Sequence, residues 1–222
     1  VKFREILHRQ QFSCVAETVA ALLAGDLGLP HAEPVIVELN RNLAPTVPPK
    51  WKDYADRIER SEGLNFGSVF VGQGTNAALP SADDRPELLR FWAELFCFDF
   101  LIQNYDRVSD NPNYLWQGDR IILIDHEQAF SHIDSENEFS LESLALNPLF
   151  RHVAFLTLDL ATDIRPFFQR LARLPDARVS SYFRVLPPVW GDRRSIRLEQ
   201  YLLWAKVHST ALCEWLATIL AV

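Results

Sequence analysis

Methionine is missing from all 222 residues, position 1 included, and the chain carries only three cysteines and eight glycines. The methionine gap predicts a trimmed or non-standard start, or omitted residues. Cys14, Cys97 and Cys213 are odd in number, far apart and set among apolar neighbours. That excludes a disulfide framework or a Cys-x-x-Cys pair, and it predicts three buried thiols in a reducing compartment, hence a cytoplasmic protein. Long apolar runs are lacking too. The closing stretch, Ala211 to Val222, is broken by Glu214 and too short for a bilayer, so no membrane span and no signal peptide is predicted. Positive charge is scarce: 22 Lys and Arg against 29 Asp and Glu leave a net charge of −7. Such a balance argues against a nucleic-acid backbone as the main partner. The densest basic cluster, Arg193, Arg194 and Arg197, reads as a helix start with solvated charges. Repeats and low-complexity tracts are absent as well.

What is present is an apolar content of 48%, with 12% aromatics, enough to bury the core of one large domain or two closely packed lobes. Periodicity divides the chain in two. Residues 1 to about 80 mix a strand at Val1 to Phe3, a helix from Phe12 to Leu27, a strand from Val35 to Leu39, a proline-rich segment, a helix from Trp51 to Arg60 and a strand near Ser68 to Val71. From Pro86 helices dominate: Pro86 to Gln103, Leu141 to Leu146, Leu158 to Leu174, Asp176 to Leu186 and Ser195 to Leu220, broken by a hairpin over 114 to 124. Asp84 and Pro86 suit a helix start, and Pro175 and Pro187 suit helix ends. Phe91, Trp92, Phe96, Phe98 and Phe100 crowd one helix as a core face, and Trp190, Trp204 and Trp215 anchor the last ones.

The chemistry concentrates between Asn104 and Asp125. Asp106 is followed five residues later by Asn111, then by a turn at Gln117-Gly118-Asp119, then by an apolar strand that ends in Asp125. Phosphoryl transfer needs hard oxygen ligands for Mg²⁺ and one carboxylate at the nucleophile. Two aspartates and an asparagine on a split loop meet that need: Asp106 for the attacking hydroxyl's proton, Asn111 and Asp125 for the metal. One Asp-x-x-x-x-Asn match alone is equally a turn signal. The joint pattern of helix, loop, hairpin and terminal aspartate is what favours the catalytic reading.

The string Phe98-Asp-Phe-Leu-Ile-Gln-Asn104-Tyr-Asp106-Arg107, with Asn111-Pro-Asn113, Leu123-Ile-Asp125-His126 and Ala129-Phe130, resembles the HipA-like kinases, and more distantly the phosphoinositide kinases. Further similar segments are Val1-Lys2-Phe3, Ala16-Glu17, Leu27-Gly28-Leu29-Pro30, Phe66-Gly67-Ser68 and Leu186-Pro-Pro-Val-Trp190. The resemblance implies an α+β protein-kinase-like fold of two lobes. Residues 1–80 would form a smaller, truncated nucleotide-binding lobe and residues 81–222 a helical catalytic lobe. It implies ATP and Mg²⁺ as cofactors and transfer of the γ-phosphoryl group to a hydroxyl, above all Ser or Thr of a protein. It also implies Lys2 as the phosphate contact, Glu17 as its ion-pair partner, and a cognate antitoxin or regulatory protein as a partner. Arg107 would neutralise phosphate or buttress the loop; both roles stay open. The family's phosphate-binding loop precedes the lysine strand and has no counterpart upstream of Lys2. The glycine-dotted stretch Gly67 to Gly74 is either a hinge facing the adenine or a surface turn.

Other chemistries compete. Loss of the phosphate loop would suit a pseudokinase or protein-binding module, and lipid or small-molecule acceptors use the same carboxylates. His126, Glu127, His132 and Asp134 offer zinc-type donors, but not at the His-Glu-x-x-His spacing. His8, His31, His152 and His208 show no clustering and suggest no role. A Gly-x-Ser-x-Gly elbow is missing, which speaks against serine hydrolysis.

Overall fold

The computed structural model describes residues 1–7, 9–72, 87–117, 120–144, 151–155 and 162–220. The fold is α+β, mainly helical with two small antiparallel sheets. Helix α1 (Gln11–Asp26) is apolar on nearly every side and correspondingly buried from Phe12 to Ala24, apart from Leu22. It stops in a Schellman motif: Gly28 adopts φ +81, Leu29 N–H reaches Ala24 C=O (2.8 Å) and Gly28 N–H reaches Gly25 C=O (3.0 Å). Strand β1 (Pro34–Leu39) pairs with β2 (Gly63–Ser68), and helix α2 (Lys52–Arg60) lies between them in sequence. Gly67 is required on β2 because a Cβ there would stand 2.8 Å from Val37 Cγ2.

Helix α3 (Glu87–Ile102) forms the centre, with Trp92, Leu95, Phe96, Phe98, Phe100 and Leu101 all buried. It feeds the loop that precedes the hairpin of β3 (Tyr114–Gln117) and β4 (Arg120–Leu123), in which Gln117 faces Arg120. Four α-helices follow among the described residues: α4 (Arg165–Arg173), α5 (Asp176–Arg184), α6 (Arg193–Val207) and α7 (Ser209–Leu220). One apolar core runs from α1 through α3 to α7, and α1 packs against both the β1–β2 sheet and the helices α5 and α6. The three cysteines are free and buried. No helix among the described residues is long and apolar enough to cross a membrane.

Several expected boundaries move. Val1 to Phe3 is extended but not a strand: Lys2 N–H donates to Phe66 C=O (2.9 Å), and a 3-10 turn at Arg4–Ile6 then takes the chain away. The strand expected near Ser68 to Val71 lies earlier, at Gly63–Ser68, because packing under the β1 valines outweighs the poor strand propensity of Asn65 and Gly67. Of the expected Leu141 to Leu146 helix, the described residues form a 3-10 turn at Leu141–Ser143, with Ser140 and Ser143 capping each other, and 145–146 lie outside the described residues. Of the expected Leu158 to Leu174 helix, 158–161 lie outside the described residues, and α4 begins at Arg165, where Asp163 accepts the Arg165 N–H (3.0 Å). The expected Ser195 to Leu220 helix divides at His208, whose ring nitrogen lies 2.8 Å from the Trp204 carbonyl that its own N–H also uses. The helix start at Asp84 and Pro86, and Gln73 and Gly74 of the glycine-dotted stretch, lie outside the described residues.

Candidate functional site

The amino-terminal segment is fastened before it reaches any site. Asn65, buried on β2, accepts the Arg4 N–H (2.9 Å) and donates to Ser61 C=O (2.7 Å). Lys2 is thereby aimed at a cavity of about 230 Å³. Ala21, Ala32, Phe66, Leu115 and Leu123 supply its apolar wall, and Lys2, Glu17, Asp125 and His126 its polar end. The Lys2 ammonium lies 2.5 Å from Glu17 Oε1 and 3.2 Å from Glu127 Oε2, and it also contacts Asp125 Oδ1. Burial alone would pull this ammonium's pKa down, but the charges of Glu17 and Asp125 outweigh it and hold the pKa above the ordinary lysine value. Glu17, with its side chain 2% exposed, feels the converse. Burial pushes its pKa up, yet hydrogen bonding from His126 and the Lys2 charge hold it below the usual glutamate range.

Asp125 is pinned on both sides. Ile124 N–H donates to Asn113 C=O (3.1 Å), and His126 N–H donates to Glu17 Oε2 (2.8 Å). Between these anchors Asp125 itself sits at φ +60, a left-handed conformation that aspartate tolerates better than most residues. The chain leaving α1 adds a third tie, since Leu123 N–H donates to Pro30 C=O (2.9 Å) and Ala32 N–H to Leu123 C=O (3.2 Å). Carboxylate oxygens of Glu17, Asp125 and Glu127 all lie within 4.8 Å of one another, a donor set that fits a hard divalent cation.

Asp106 and Asn111 sit on the neighbouring loop. Asp106 Oδ2 accepts from Asn111 Nδ2 (3.1 Å) and from Asn113 Nδ2 (2.9 Å). Asn113, at φ +48, therefore holds Asp106 by its side chain and, by its carbonyl, the chain just past β4 that leads into Asp125. Asp106 and Asn111 do not line the 230 Å³ cavity, whereas Lys2, Glu17 and Asp125 do.

A second cluster lies beneath this loop. Arg107 is fully buried: its Nε donates to Asp99 Oδ2 (2.6 Å), and Nη1 donates to the carbonyls of Pro112 (3.2 Å) and Asn113. A guanidinium with no exposed surface offers no face to a phosphate, so of the two roles considered for Arg107 its position favours the buttress over nucleotide contact. Asp99 also accepts from Asn104 Nδ2 (3.0 Å) and faces His152 Nε2 (2.7 Å). Burial would raise the Asp99 pKa, but the Arg107 charge and the His152 hydrogen bond hold it well below the usual carboxylate range.

Sequence reasoning passed over Asp99, Glu127 as a Lys2 partner, and His152, which is not idle. Asp99 and Glu17 did carry a signal: each is a lone acid inside an otherwise apolar helical stretch. The zinc-type group is not assembled among the described residues. The His132 ring packs edge-on against Tyr201 with centroids 4.2 Å apart, and both its nitrogens are closed off from solvent. At the start of α6, Arg193 and Arg197 donate to Glu136 and the Asn137 carbonyl and so tether the segment after Asp125, whereas Arg194 pairs with Asp192 at its own helix cap.

A family model described as HipA-like kinase matches residues 3–162. Comparison with curated proteins and with solved structures gives no match. Most of the chain is covered: the Asp99 cluster and Glu17, Asp125 and Glu127 fall inside the matched stretch, and Lys2 lies one residue before it; the chain belongs to the HipA-like kinase family.

Proposed function

We propose that this member of the HipA-like kinase family transfers the γ-phosphoryl group of ATP to a hydroxyl, that of Ser or Thr in a protein. One observation carries the reading: Lys2, Glu17 and Asp125 converge at the polar end of an apolar cavity, beside a loop that presents Asp106 and Asn111. Residues 1–80 would hold the nucleotide and residues 81–222 carry the transfer machinery. The apolar wall suits a flat base, and the Lys2 ammonium suits the phosphates. Glu17 fixes the direction of Lys2. Asn111 and Asp125 would hold the Mg²⁺ ions, with Glu127 within reach. Bound Mg²⁺ would supply neutralisation of phosphate charge. Asp106, oriented by Asn111 and Asn113, would receive or steer the proton of the acceptor hydroxyl. Arg107 acts from below by holding the loop. A cognate antitoxin or regulatory protein is the partner that the family implies.

The test is a Mg²⁺-dependent thermal shift with ATP, followed by phosphate transfer to Ser or Thr in trans or in cis. A shift that requires the metal and is lost in Lys2→Ala supports the reading. No shift together with no transfer would sink it in favour of a protein-binding module, and transfer only to a lipid or small molecule would correct the acceptor.

A further inference from the structure

We propose that Asp99 and His152 are positioning residues for the transfer loop: together they tie the 106–113 turn to the 151–155 segment, so that this segment sets where the Asp106 carboxylate stands. The inference rests on the reading of Asp106 given above, but Asp99 and His152 do not line the cavity.

Asp99 accepts three donors from three different places. Asn104 lies at the end of α3, Arg107 lies next to Asp106, and His152 is 53 residues away from Asp99 in sequence. Arg107 then closes the loop from the inside, because the same guanidinium reaches the carbonyls of Pro112 and Asn113. The backbone repeats the connection. Val108 and Asn111 exchange hydrogen bonds (3.1 and 3.0 Å), and Val153 N–H donates to Arg107 C=O (2.9 Å).

The proton on His152 follows from its neighbours. Its Nδ1 accepts the Ala154 N–H (3.1 Å), so that nitrogen cannot carry a proton. Nε2 must carry it and donate to Asp99. The imidazole is thus held in one tautomer and links two chain segments through a carboxylate closed off from water. These bonds end beside Asp106 or on Asn113, which itself grips Asp106 at 2.9 Å. None ends on Lys2, Glu17 or the apolar wall of the cavity. The pair should therefore affect the transfer step and spare nucleotide binding.

His152→Phe keeps a ring against Phe96, whose centroid lies 5.4 Å away, and removes both nitrogens. Hydrogen–deuterium exchange of the full chain should show faster exchange in 104–113 and 151–155 by about tenfold or more, the weight of one hydrogen bond to a charged group, with α1 and the β1–β2 sheet unchanged. In phosphotransfer assays kcat should fall by about tenfold or more while KM for ATP stays within about twofold, and His152→Gln, which keeps an N–H donor, should recover part of the loss. Unchanged loop exchange overturns the proposal, as does acceleration spread evenly over α1 and the sheet, or a raised KM with unaltered kcat. Should the wild-type chain transfer no phosphate, the kinase reading fails, and the exchange measurement still decides whether the pair holds the loop.

Discussion

Two carboxylate clusters flank the stretch from Asp106 to Asp125, and they are built on opposite principles. At Lys2, three carboxylates surround one ammonium on the wall of an open cavity, with Asp125 and Glu127 partly exposed. At Asp99, one carboxylate serves a guanidinium, an imidazole and an amide, all buried. The first carries surplus negative charge with access to solvent, which suits it to a cation and the phosphates that a cation brings. The second is balanced and dry, which suits it to holding a shape. Low dielectric makes the difference consequential, since a buried charge that loses its partner cannot fall back on water.

That contrast can be broken most severely from the dry side. Arg107→Ala leaves Asp99 without its counter-charge and is expected to cost about 3–5 kcal/mol of unfolding free energy, measured by urea denaturation. A cost below about 1 kcal/mol would mean that water enters the cluster. On the open side, Asp125→Asn keeps a residue that accepts the left-handed backbone. It should lower phosphotransfer by roughly 10³-fold, or about 4 kcal/mol of activation free energy, with little change in stability. Wild-type turnover in that variant would remove Asp125 from the site.

His132 sharpens the comparison as a half-buried residue whose two ring nitrogens are closed off from solvent without a hydrogen-bond partner. Burial, together with the nearby charges of Arg197 and Arg9, lowers its pKa from the ordinary 6.5 to about 3. A histidine with a lowered folded pKa binds its proton more readily in the unfolded chain. Its contribution to stability is therefore full above 6.5 and is lost as pH falls from 6.5 toward 3. The limiting slope is about 1.4 kcal/mol per pH unit, and His132→Phe should flatten it in chemical denaturation at a series of pH values. The smallest effect is expected for Glu127→Gln. This partly exposed third partner of Lys2 should be worth below about 1 kcal/mol in thermal melts at low salt and less at high salt.

What was legible in the sequence was what is contiguous. Asp106, Asn111 and Asp125 sit on one short run whose alternating apolar residues and turn signals announce a hairpin, so these proposed site residues stood out by their spacing without a fold. Helix α1 was equally plain from its apolar periodicity. Glu17 was harder, because a glutamate on a helix is usually a solvated charge. The clue was its surroundings: in a helix apolar on nearly every side, an acid has no water to face and must be paired. Asp99 on α3 follows the same rule. His152 had no local mark at all, since its partner lies 53 residues away.

The sequence by itself determined the order and spacing of the residues proposed for phosphoryl transfer and the periodicities of the main helices, because each depends on neighbours a few residues apart. Tertiary structure alone decided that Glu17 and Glu127 share the Lys2 ammonium with Asp125, that Arg107 turns inward, and that His152 closes on Asp99. Those outcomes depend on which charges are removed from water together, and only the packing of distant segments determines that.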